Sequence, residues 1–199
     1  MNLWRLDCGA QTILVGGDEN LAEVFYWGAL LPESENLKSI WNITRLDYSG
    51  GVLDGVPALS ICPEVSKTFN GHPGMRIRGA SGKRLYPNFR LTNAKLSKTS
   101  LLLEYEDPEI GLTYKANFRA HKETSVFELS ASLTANTDIL VDWFAAPVLP
   151  ATQAAQKMID FSGHWCREFQ KQETDWSIGA RLRNNQTGRT GHEHFPALI

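Results

Sequence analysis

Two consecutive runs of strict alternation constrain this chain more than any other feature. Leu112, Tyr114, Ala116, Phe118 and Ala120 alternate with Thr113, Lys115, Asn117 and Arg119. Phe127, Leu129, Ala131, Leu133 and Ala135 then alternate with Glu128, Ser130, Ser132 and Thr134. Successive side chains of a strand point to opposite faces, so each run is a strand with one apolar and one wet face. A third run, residues 100–106, precedes them. The turn Asp107-Pro108-Glu109-Ile110-Gly111 joins it to the first alternating run, and His121-Lys122-Glu123-Thr124 joins that run to the next. Three strands with short turns form an antiparallel meander. After Asn136-Thr137-Asp138, residues 139–144 are expected to add a fourth strand.

The first third of the chain has the same character. Residues 11–15 and the aromatic-rich 23–28 are expected strands. Gly and Pro punctuation recurs at Gly16-Gly17, Ser49-Gly50-Gly51, Gly71-His72-Pro73-Gly74 and Ala80-Ser81-Gly82-Lys83. Helix is expected only over 33–40 and 152–159. No repeat, low-complexity tract or linker interrupts the pattern. The expected fold is all-β: one large antiparallel β-sandwich spanning 1–199, with little helix.

Composition narrows the function. At 42% hydrophobic and 21% charged residues, the 199-residue chain is an ordinary globular protein with enough length for a core. A net charge of −2 without a basic run speaks against a nucleic-acid partner. The longest apolar runs are too short to span a bilayer, so no membrane partner is expected. The N-terminal residues 1–7 show no basic patch followed by an apolar stretch, so no secretory leader is expected. Cys8, Cys62 and Cys166 are odd in number and irregularly spaced, which fits a reducing, cytoplasmic setting better than a disulfide framework. The sequons at Asn42 and Asn185 carry little weight without secretion.

Two segments near the C-terminal end bear a family resemblance. Phe161, Gly163, Trp165, Glu168 and Phe169 follow an F-x-G-x-W-x-x-E-F pattern. Residues 188–196 then run Gly188-Arg189-Thr190-Gly191-His192-Glu193-His194-Phe195-Pro196. Together with Tyr26-Trp27-Gly28 and the stretch from Cys62-Pro63-Glu64 to Gly74, they make the chain from about residue 22 onward resemble the N-terminal domain of glycoside hydrolase family 36, the bacterial α-galactosidases and melibiases. His164 stands where that family often has Arg, and Gly191 where it often has Ser. Gly71-His72-Pro73-Gly74 replaces an acidic-aromatic-Arg tip on a loop that reaches the substrate pocket in many members.

The resemblance implies a β-supersandwich leading into a (β/α)8 barrel that lies downstream of residue 199. It also implies that the parent chain is a retaining α-galactosidase acting on terminal α-galactosyl residues of galacto-oligosaccharides. Such hydrolysis needs two carboxylates roughly 5 Å apart, held at the C-terminal ends of barrel strands. The family's Lys-aromatic-Asp nucleophile motif does not occur here, so the 199-residue piece is expected to be inactive alone. The partners implied are the catalytic barrel, an α-galactoside and further copies in a homo-oligomer; no cofactor is implied.

Candidate substrate-binding or domain-interface residues are His72, Trp165, Arg189, His192 and His194. His192 and His194 fall on one side of an extended segment; a zinc reading would add His164 or His72, but the sequence specifies no third or fourth ligand at a zinc spacing. They are taken as hydrogen-bonding imidazoles, and no metal is expected. Arg189 suits a carboxylate across a domain interface. Trp165 could stack on a sugar, as could Trp27, Trp41 and Trp176, although most tryptophans in a sandwich are core or interface anchors. Glu64 and Glu168 as a glycosidase pair are disfavoured, because nothing sets their separation. A free-standing carbohydrate-binding, lectin-like module and a purely structural β-domain with a protein partner are the alternative functions.

Overall fold

The computed structural model describes residues 1–44, 59–151, 154–164, 166–177 and 181–182. The chain divides into two compact units, Met1–Pro150 and Ala151–Ile199.

The first unit is an all-β antiparallel sandwich. Strands β1 (Asn2–Cys8), β2 (Gln11–Gly17) and β3 (Glu23–Ala29) form one sheet in sequence order. Strands β4 (Met75–Gly79), β5 (Arg84–Leu85), β6 (Arg90–Leu96), β7 (Ser100–Asp107), β8 (Leu112–His121), β9 (Val126–Ala135) and β10 (Ile139–Phe144) build two more. One is the meander β6-β7-β8-β9 and the other has the order β10-β4-β5.

The expected alternation is realised in the meander. Leu103, Ala116 and Ala131 stand opposite one another on its inner face, and Glu104, Lys115 and Ser132 on its outer face. The inner residues Leu101, Leu103, Tyr105, Leu112, Tyr114 and Phe118 share one core with Leu6, Ile13, Val15 and Val24 of the first sheet and with Met75 and Ile77 of β4. Tyr114 is central: its ring lies 5.6 Å from Phe89, 5.9 Å from Tyr105 and 6.1 Å from Phe144. Burial of so many large apolar groups, each contributing about 1.5–3 kcal/mol, is what holds the sheets together.

Strand β10 forms where expected but does not extend the meander. It pairs with β4, across 64 positions of sequence in the case of Val141 and Ile77. The break at Asn136, whose amide returns to Gly111 at 2.9 Å, turns the chain away from β9. The meander's fourth strand is instead β6, on its other edge.

The expected helix over 33–40 is displaced. Helix α1 spans Leu37–Thr44 because Asn36 caps it: the Asn36 side chain accepts the Ser39 amide at 3.1 Å, as an N-cap asparagine does. Its Trp41 is buried edge-on against Phe25 with ring centroids 5.0 Å apart, so it is a core anchor.

The second unit holds a hairpin of β11 (Lys157–His164) and β12 (Arg167–Asp175). The expectation of helix over 152–159 fails at its described residues, 154–159: residues 157–159 are the start of β11 and pair with Glu173, Thr174 and Asp175. Weak local helix preference has given way to cross-strand pairing. The turn demands Gly163: a Cβ there would meet the Arg167 carbonyl oxygen at 2.1 Å. On the exposed face, Lys157 and Lys171 both pair with Glu173 and hold its carboxyl down to about 2.

Candidate functional site

The loop that enters β4 is pinned by its own backbone. The Ile61 amide bonds to the Ala22 carbonyl at 2.8 Å, the Gly74 amide to Pro63 at 3.0 Å, and the Ala145 amide to the Gly74 carbonyl at 2.9 Å. Gly74 is pressed so closely on Cys62 that a Cβ would lie 2.8 Å from the Cys62 Cα. A single 3₁₀ turn, Val65–Lys67, follows Glu64, and the Ser66 hydroxyl donates to the Pro87 carbonyl at 2.5 Å.

Two buried carboxylates, Glu64 on this loop and Asp107 at the end of β7, hold the lead-in to β6. The Asn88 amide donates to Asp107 Oδ2 at 2.7 Å, and the next amide, Phe89, donates to Glu64 Oε1 at 3.0 Å. Asp107 also accepts the Glu109 and Ile110 amides at 3.0 and 3.3 Å, organising the turn into β8. Burial pushes the Glu64 carboxyl up to about 7, with the Phe89 hydrogen bond and Lys67 opposing the rise and Asp107 adding to it. Burial, with Glu64 nearby, also pushes the Cys62 thiol up to about 12, so it is not a thiolate nucleophile at neutral pH.

Between this loop and the β10-β4-β5 sheet lies an open cleft of about 300 Å³. Pro63, Met75, Ile77, Leu85 and Phe89 supply apolar wall; Glu64, Arg76, Arg84, Tyr86 and Asp142 supply the polar groups. Asp142 is engaged through both oxygens by Arg78, Nε to Oδ2 at 2.8 Å and Nη2 to Oδ1 at 2.6 Å. That bond, and then the charges of Arg78, Arg84 and Arg76, hold the Asp142 carboxyl below the usual carboxylate range. A carboxyl near 7 such as Glu64 has the acidity of a general acid, but its oxygen is committed to the Phe89 amide, and Asp142 is committed to Arg78. One oxygen of Glu64 and both oxygens of Asp142 are thus held by protein partners.

Of the five residues singled out from the sequence, His72 is described. It is exposed on the loop whose Gly71 and Pro73 line the cleft, with Nδ1 3.1 Å from the Pro73 carbonyl oxygen. Its ring stands edge-on to Trp143, 4.8 Å away. Trp165, Arg189, His192 and His194 lie outside the described residues. Glu64 belongs to the first unit and Glu168 to the second. Among the described residues, no three His, Cys, Asp or Glu side chains come together as a metal-binding group, and no helix is long and apolar enough to cross a membrane. Sequence reasoning missed Arg76, Arg84 and Tyr86. The available signal was Arg76-Ile77-Arg78 followed by Lys83-Arg84, basic residues alternating on what prove to be neighbouring strands.

With this geometry in view, the relatives are informative. The family model for the glycosyl hydrolase family 36 N-terminal domain matches residues 20–199. An α-galactosidase of Escherichia coli is 28% identical over 182 residues, which cover 89% of this chain and 25% of that protein. A variant of the family 36 α-galactosidase AgaA of Geobacillus stearothermophilus, in complex with raffinose, superposes with a TM-score of 0.81 at 16% identity, over 99% of this chain and 31% of that one. The α-galactosidase of Lactobacillus brevis gives 0.75 at 16% identity, over 98% of this chain and 30% of that one. The chain thus spans about a quarter of the length of its curated relative. A match over nearly the whole sequence, on a shared sandwich fold, is decisive: the chain belongs to the glycosyl hydrolase family 36 N-terminal domain family.

Proposed function

We propose that this chain is the non-catalytic N-terminal domain of a retaining α-galactosidase that removes terminal α-galactosyl residues from galacto-oligosaccharides. The family match across residues 20–199 carries this reading. The E. coli relative is an α-galactosidase that extends well beyond the matched region. In this proposal the two catalytic carboxylates sit in a partner barrel. The commitment of Asp142 to Arg78 and of Glu64 to Phe89 supports a non-catalytic role for the cleft. The domain braces the barrel and contributes to a homo-oligomer interface, with His72, Trp165, Arg189, His192 and His194 at the interface or a sugar subsite. Three free cysteines favour a reducing, cytoplasmic setting.

The experiment is hydrolysis of p-nitrophenyl α-galactoside by the purified 199-residue chain and by the parent gene product. Turnover by the parent and none by the chain is expected. Measurable turnover by the chain alone overturns the non-catalytic assignment.

A second reading, a free-standing carbohydrate-binding module, is favoured by the open cleft with Tyr86 55% exposed at its edge. It requires saturable binding of galactose by the 199-residue chain, measured by calorimetry.

A further inference from the structure

The cleft has a charge imbalance that no described residue answers. Pairing of β4 with β5 sets Arg78 directly opposite Arg84, and Arg76, two residues before Arg78, projects from the same face. Like charges directly opposite each other destabilise an antiparallel pair. Among the described residues the charges of all three arginines act on the Asp142 carboxylate, and Arg78 takes both of its oxygens. Arg76 and Arg84, both lining the cleft, have no hydrogen bond or ion pair among the described residues. The other acid in the cleft, Glu64, is buried and occupied by the Phe89 amide. Two exposed positive charges therefore stand without a hydrogen-bonded carboxylate among the described residues, at a cleft whose apolar lining includes Met75, Ile77 and Phe89. Low-dielectric walls focus such a field, and a planar guanidinium fork matches carboxylate and phosphate geometry.

We propose that this cleft is an anion-binding site, in which Arg76 and Arg84 take the carboxylate or phosphate of a ligand about the size of one sugar ring. A volume of about 300 Å³ is at the small end of ligand pockets. Tyr86 and the apolar wall provide a surface for the body of the ligand. The sugar body rests on the reading of the cleft as a subsite of a glycosidase; the anion rests on the arginines alone. A neutral hexose would leave both charges unanswered, so it is the weaker ligand.

Calorimetric titration of the 199-residue chain with galacturonate, inorganic phosphate and galactose tests this. Galacturonate is expected to bind saturably and at least ~10-fold more tightly than galactose. Added sodium chloride should weaken that binding. Arg84→Gln and Arg76→Gln should each lower the affinity severalfold. Asp142→Asn, which frees Arg78 from its competing carboxylate, should raise it. Thermal melting of each variant confirms that the fold is retained. Arginine-dependent binding of phosphate without galacturonate supports the anion site while removing the sugar body. The proposal is overturned if neither anion saturates at millimolar concentration, if galactose binds as well as galacturonate, if both arginine variants bind like the parent, or if Asp142→Asn weakens binding.

Discussion

The Glu64 carboxylate accepts the Phe89 amide at 3.0 Å from a position only 8% exposed. This contact joins the loop entering β4 to the lead-in of β6 and forms one wall of the cleft. It also places an ionisable group where ionisation is costly.

A pH dependence follows. The folded state binds the Glu64 proton more tightly than the unfolded chain does, since the carboxyl rises from 4.5 to about 7. Stability must then fall as pH increases from about 4.5 to about 7 and level off above, by on the order of 2 kcal/mol after allowing for solvent screening. Glu64→Gln keeps an oxygen for the Phe89 amide and removes the charge. It should match the parent near pH 4.5 and exceed it at pH 8. Denaturant unfolding at the two pH values checks this; curves that stay parallel would rule out Glu64 as the titrating group.

Tyr114 presents the opposite situation. Its ring is wholly buried among Phe89, Tyr105 and Phe144, and its hydroxyl has no hydrogen-bond partner among the described residues. Burying an unpaired hydroxyl costs about 1–3 kcal/mol. Tyr114→Phe should therefore raise the melting temperature by roughly 2–4 °C for each kcal/mol of that cost. A fall of that size would mean the hydroxyl is satisfied in solution.

Asp107 should be the most sensitive of the buried acids. It accepts the amides of Asn88, Glu109 and Ile110. Asp107→Ala strands all three and is expected to cost about 3 kcal/mol in urea unfolding. A cost below about 1 kcal/mol would show that the turn closes without it.

Gly74 tests the packing of the cleft loop on the core. A Cβ would lie 2.6 Å from the Cys62 sulfur and 2.8 Å from the Cys62 Cα, and backbone cannot rotate aside. Gly74→Ala should cost about 2–3 kcal/mol by overpacking. Gly82, with no atom within 4 Å of its would-be Cβ but a φ of +79°, provides a contrast in which Gly82→Ala pays only backbone strain of about 1 kcal/mol. Equal losses in the two variants would count against close packing at Gly74.

The meander was legible because strands β7 to β9 bury one face only, so period 2 survives in the residue types. Strand β2 was found short: its residues 12–17 are buried on both sides, and such a run loses alternation. Strand β1 went unnoticed, although Leu6 and Cys8 alternate with Arg5 and Asp7 at its inner face. The cleft was not legible as a unit: the Gly71 to Gly74 loop lies at its edge, but Arg84 and Asp142 reach it from segments far apart in the chain.

By itself the sequence determined which residues could face a core, and hence an all-β sandwich, because side-chain direction in a strand is a local property of the backbone. Its closing motifs also carried the family. Tertiary structure alone decided that β10 leaves the meander for β4, that Asn36 starts the helix, and that residue 157 begins a strand. It also decided that Arg76, Arg78 and Arg84 converge on the single carboxylate of Asp142. Those outcomes depend on which strands lie side by side, and strand pairing over long sequence separations leaves no period in the residues that make it.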